Sequence, residues 1–103
     1  MMREKKTPHT RLHIVKQMVS QGKLRVTANA FDGAALLGFS FPLAVSIASL
    51  INSLKPSDFY KSRAAYHDRT IWHDVYRVGR HQRQIYLKLI VQGDVLIVSL
   101  KER

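Results

Sequence analysis

Gly93-Asp94 separates two runs of alternating character, Gln84–Gln92 and Val95–Lys101. A two-residue break containing glycine between such runs marks a tight β-hairpin, because glycine reaches the positive φ that the turn needs. The turn sets a register: Gln92 faces Val95, Leu89 faces Val98, Leu87 faces Leu100 and Tyr86 faces Lys101. Ile85, Leu87, Leu89, Val91, Leu96, Val98 and Leu100 then form one apolar face. Tyr86, Lys88, Ser99 and Lys101 form the other. A slip of one residue would mix the two sets. A chain with this hairpin must cover its apolar face with another layer, and its polar face stays open for other work.

Two further strands are expected at Phe59–Arg63 and Thr70–Arg77. Joined through Val78–Arg83, the second of these puts Arg77 opposite Gln84, Val75 opposite Tyr86 and His73 opposite Lys88. His73 and Arg77 thus share the polar face with Tyr86 and Lys101, while Trp72 and Tyr76 turn toward the covering layer. Asp74 falls on that inner side, where a carboxylate needs an edge or a basic partner.

The first half of the chain has helical rhythm. Thr10 is a candidate N-cap for a helix with Leu12, Val15, Met18 and Val19 on one side, ending near Gly22. Lys23–Thr27 is a linker or short strand. Asn29–Leu37 reads as a second helix, broken at Gly38, and a third starts around Ser40–Pro42. Leu43, Ile47, Leu50, Ile51 and Leu54 make its apolar stripe, opposite Ser46, Ser49 and Ser53. Gly33–Leu54 has no charged residue and approaches the ~20 residues needed to span a bilayer. Pro42, Asn52 and the serines divide it, so it reads as a buried helix pair rather than a membrane anchor. Lys55-Pro56-Ser57-Asp58 ends the helical half. The expected fold class is α+β: a two-layer single domain over residues 1–103, N-terminal helices on a C-terminal antiparallel sheet, with 1–8 as a basic mobile arm.

Lys and Arg total 17 against 7 Asp and Glu, a formal charge of +10. That excess favours capture of a polyanion or of an acidic protein partner. The absence of cysteine excludes disulfides and thiolate chemistry and fits a reducing compartment. No apolar run follows the N-terminal charges, so a secretory signal is not expected and the expected location is the cytoplasm. His9 and His13 read as surface residues, not metal ligands. No helix-turn-helix signal is evident.

The polar face brings Lys61, His73, Arg77, Tyr86 and Lys101 together without a cluster of carboxylates. It therefore suits no Mg²⁺ or zinc site, and no cofactor is expected. Its chemistry matches RNA cleavage by the ribose 2′-hydroxyl: a base, an acid and cations for the phosphorane. His73, Lys61 or Tyr86 can take the proton roles. Arg77 and Lys101 can stabilise charge, and Tyr60 can stack on a base. The alternative is a basic RNA-binding or regulatory module without catalysis.

Lys6-Thr7-Pro8-His9-Thr10-Arg11-Leu12, Ser57-Asp58-Phe59-Tyr60-Lys61-Ser62, Thr70-Ile71-Trp72-His73-Asp74-Val75-Tyr76-Arg77 and Asp94-Val95-Leu96-Ile97-Val98-Ser99 occur in one order over nearly the whole chain. Together they resemble the MqsR family of bacterial toxins. The resemblance implies a RelE-like fold and an mRNA interferase that needs neither metal nor ribosome and cuts at short GC-containing sites. It also implies a cognate MqsA-like antitoxin, a zinc-binding protein with a helix-turn-helix DNA-binding part. By the same resemblance Lys61, Tyr86 and Lys101 serve catalysis, and Tyr60 and Arg77 contact RNA. His73 stands where the family carries glutamine and Arg63 where it carries methionine. An imidazole can exchange a proton near neutrality where an amide cannot, so His73 joins the catalytic set. Arg63 adds an RNA phosphate contact or alters base preference.

Overall fold

The computed structural model describes residues 3–80 and 82–103. In chain order these are β1 (Glu4–Lys5), α1 (Leu12–Ser20), β2 (Leu24–Val26), α2 (Ala28–Leu36), α3 (Leu43–Ser53), a 3₁₀ turn at Pro56–Asp58, β3 (Phe59–Ala64), β4 (Trp72–Arg80), β5 (Arg83–Val91) and β6 (Val95–Glu102). The α+β class is as expected, with two corrections. The helices precede the strands only in part, because β1 and β2 interleave with them. The six-stranded sheet, ordered β1-β3-β4-β5-β6-β2, is mixed, because β2 runs parallel to β6.

The expected mobile arm is also corrected. Glu4 and Lys5 pair antiparallel with Arg63 and Ser62 as an edge strand; Met1 and Met2 lie outside the described residues. Arg11, not Thr10, takes the N-cap position of α1 and makes no side-chain cap. Asp74 supplies the acceptors there: its carboxylate takes the backbone amides of His9 (3.0 Å) and Thr10 (3.1 Å). Two charge-assisted bonds satisfy a carboxylate that is otherwise buried, which answers its inward placement. Trp72 lies on the same side, covered by the N-terminal segment rather than by a helix. His9 stacks on it at 5.7 Å, and the Lys5 ammonium sits 4.3 Å from its ring centre.

Helix α2 is capped by the Thr27 hydroxyl, which accepts from the Ala30 amide at 3.0 Å. It lies so close to β6 that a methyl group at Gly33 would fall 1.7 Å from the Leu100 carbonyl oxygen. Ala30 and Ala34, one turn apart on the same face, are fully buried. Small residues at this spacing let the helix backbone settle onto the strand. Ile47, Leu50, Ile51 and Leu54 of the third helical segment complete the layer over Tyr76, Val78, Ile85, Leu87 and Leu89.

The β5–β6 register matches expectation from Ile85 to Lys88, with Leu87 opposite Leu100 and Tyr86 opposite Lys101. Beyond Lys88 an irregularity shifts it, so Leu89 faces Ile97 and Val91 faces Val95. The turn therefore holds Gln92, Gly93 and Asp94, with Gly93 at φ +75°. The bulge also re-phases β6: Val95 and Ile97 enter the core, where Leu96 and Val98 were expected. Strand β4 continues through Val78–Arg80, the expected loop, and Arg77 faces Tyr86 instead of Gln84. That shift is two residues, so every side chain keeps its expected face.

Candidate active site

The helices all pack on one face of the sheet, and the other face carries the polar residues of β3, β4, β5 and β6. Its middle row runs Lys61, Val75, Lys88, Ser99. Val75 is 7% exposed although no helix covers it. The aliphatic stems of Lys61 and Lys88, its neighbours on either side, account for this. The next row runs Arg77, Tyr86, Lys101. On the other side of Lys61, Glu4, Arg63 and His73 form a third row.

Alternation along a strand would send Tyr60 and Lys61 to opposite faces. Strand β3 avoids this with a bulge between Phe59 and Lys61. Phe59 packs inward, edge-on to Tyr76 at 5.5 Å, and Tyr60 joins Lys61 on the open face. The Tyr60 ring lies nearly parallel to that of Tyr86, 6.2 Å between centres. The Arg77 guanidinium sits 3.8 Å from the Tyr60 ring centre and the Lys61 ammonium 5.0 Å from it. The structure thus brings together Tyr60, Lys61, Arg63, His73, Arg77, Tyr86 and Lys101 on one face, open to solvent in part. Lys61 is more enclosed than a strand lysine read from sequence suggests: its side chain is only 20% exposed.

Three residues of this face escape the sequence reading as site residues. Lys88 lies between Lys61 and Lys101, and the period-two pattern did place it on the correct face. Glu4 arrives with β1 and Lys6 directly follows it; a strand of two residues is too short to show any period. Glu4 brings the one carboxylate that the strand registers place on this face among the described residues. It pairs with Lys61 at 3.4 Å and Arg63 at 3.8 Å.

Burial first, and crowded cations after it, shape the protonation of the face. Burial pulls the His73 imidazole below its ordinary range, and Lys88 and Arg63 add to this, against a smaller opposing pull from Asp74. His73 is therefore neutral at neutral pH, with a lone pair available. Lys88 is lowered too, first by burial and then by Lys101, Arg63 and Lys61. On the opposite face burial, with Asp74 adding to it, pushes the Tyr76 phenol far up, and that group is a core residue. Among the described residues no three His, Asp or Glu side chains gather in a way that could hold a metal ion.

Residues 7–102 match the family described as motility quorum-sensing regulator, toxin of MqsA. The chain belongs to the MqsR toxin family. It is similar to the mRNA interferase toxin MqsR of Escherichia coli (strain K12), 49% identical over 100 residues that cover 97% of this chain and 99% of that protein. The match spans β3, β4, β5 and β6, and so includes every residue of the open face from Tyr60 onward. No helix among the described residues is long and apolar enough to cross a membrane.

Proposed function

We propose that this protein is a toxin endoribonuclease that cuts mRNA by 2′-hydroxyl attack, without a metal and without the ribosome, on a RelE-like scaffold. The observation that carries the reading is the joint placement of Lys61, His73, Tyr86 and Lys101 on one uncovered face, beside the Tyr60 ring. The family membership and the activity for which the Escherichia coli relative is named support it. Neutral His73 takes the 2′-hydroxyl proton as the new bond to phosphorus forms. The bond from phosphorus to the 5′-oxygen breaks, and the Lys61 ammonium returns a proton to that oxygen, leaving a 2′,3′-cyclic phosphate. Arg77, Lys88 and Lys101 hold the charge that develops on the phosphorane. Tyr60 stacks a base, with Arg77 against the same ring, and Arg63 contacts the backbone. The cut sites are short and GC-containing. The partner is a cognate MqsA-like antitoxin with a zinc-binding part and a helix-turn-helix DNA-binding part, and both act in the cytoplasm.

The test is digestion of a defined transcript by the purified protein in the presence of EDTA, with the ends analysed for cyclic phosphate. Lys61→Ala should slow cleavage by about 10²- to 10⁴-fold. Its melting temperature should fall modestly, because truncation uncovers part of Val75, while the ion pair with Glu4 itself contributes little. Cleavage by Lys61→Ala at the parental rate would remove Lys61 from the chemistry. Binding without cleavage by the parent would leave a non-catalytic RNA-binding module.

A further inference from the structure

Strand β1 adds an anion to a floor of cations. Glu4 lies opposite Arg63 in the register, and its carboxylate sits 3.4 Å from the Lys61 ammonium, 3.8 Å from the Arg63 guanidinium and 3.7 Å from the Lys6 ammonium. These separations exceed the roughly 2.7–2.9 Å of a charge-assisted hydrogen bond. The carboxylate is held by the field of its neighbours rather than by one directional bond, and its side chain is 39% exposed. An oxyanion at this position is therefore exchangeable. The Lys6 and Lys61 ammonium groups also lie 5.5 Å and 5.0 Å from the centre of the Tyr60 ring. The oxyanion position thus adjoins the surface on which a base can stack, as a nucleotide's own phosphate adjoins its base.

We propose that Lys6, Lys61 and Arg63 form a subsite for an RNA backbone phosphate, and that Glu4 is its resident stand-in, displaced when the strand binds. In the free protein the carboxylate keeps three like charges gathered at one point. On binding, the phosphate takes over those contacts, so Glu4 sets a threshold that only a well-placed backbone crosses. The inference rests on the reading of the substrate as RNA, not on cleavage of it.

Glu4→Gln tests it, because the side-chain length is kept and β1 pairs through its backbone. Binding is read with a short RNA that carries deoxyribose at the cut position and cannot be cleaved. Glu4→Gln should bind it about two- to five-fold more tightly, as expected when one exposed ionic competitor is removed. The slope of binding against salt should steepen, by up to about 0.7 for one more phosphate contact on a single strand. With cleavable RNA the gain should appear in KM and not in kcat. Glu4→Asp should return toward the parental affinity. In a double-mutant cycle with Lys6→Ala, the effect of Glu4→Gln should shrink. Unchanged binding by Glu4→Gln would overturn the proposal. A fall in kcat at constant KM would also overturn it, since Glu4 would then act in the chemistry. A parent that binds the RNA but never cuts it sinks the nuclease reading and leaves this test intact.

Discussion

Replacing Gly33 with alanine should damage the protein through a contact that helix preference alone would not reveal. In an isolated helix the change would stabilise by about 0.8–1 kcal/mol. Here the added methyl falls 1.7 Å from the Leu100 carbonyl oxygen and 2.9 Å from its carbonyl carbon. An ordinary carbon–oxygen contact is about 3.3–3.6 Å, so α2 must retreat from β6 by something on the order of 1.5 Å. Ala30 and Ala34, fully buried against the same strand, retreat with it. A gap of about 0.5–1 Å already forfeits a quarter to a half of a dispersion contact. Overpacking of this kind costs about 1–3 kcal/mol and occasionally more. With backbone as the obstacle the upper end applies, and after the helix gain the net loss is about 2 kcal/mol. For a domain of this size that lowers the melting temperature by about 8–16 °C. Urea and thermal melts measure it directly. Cleavage should fall as well, because Leu100 adjoins Lys101 on the open face. A Gly33→Ala protein that melts within about 2 °C of the parent would refute the close approach of α2 to β6.

Asp74→Asn should cost about 2 kcal/mol in a urea titration, because His9 and Thr10 donate to different carboxylate oxygens and one of these becomes an NH2 donor facing a backbone N–H. It should also move the acid limb of the cleavage profile to lower pH, since Asp74 now pulls the His73 imidazole upward. The depressed imidazole gives stability its own pH dependence. As pH falls through about 6.5 the unfolded chain takes a proton before the folded one does. Stability therefore falls with acid in that window and levels off below the folded value. His73→Gln should flatten this slope and remove the acid limb of kcat/KM; a slope and limb that survive the substitution would assign them to another group.

The legible part of this fold was whatever a period of two or 3.6 could carry. The expected β4 register was off by two residues, yet His73, Arg77, Tyr86 and Lys101 still shared a face, because an even shift preserves the side of the sheet. The β6 bulge inserted one residue, and there the reading failed: Val95 and Ile97 took the core positions expected for Leu96 and Val98. Nothing in Val95–Val98 marks that position, since both alternations are apolar there. Glu4 and Lys6 were hidden for a different reason. They belong to a charged run whose partner strand lies more than fifty residues away, and two residues show no pattern. The Asp74 carboxylate is out of place in the alternation, but its partners are backbone amides, which a string of side chains does not display.

The β3 bulge also sets the spacing of the groups that the open face would present to a strand of RNA. On a flat strand, same-side neighbours stand two residues apart, about 6.6–6.8 Å. The extra residue at Tyr60 halves that step, so an aromatic platform and an ammonium group occupy successive positions. Deleting Tyr60 would remove the platform and restore plain alternation, and one inserted residue would turn one of the two into the hydrocarbon interior. Length is therefore as constrained here as chemistry, in a stretch where conservative substitutions would look harmless.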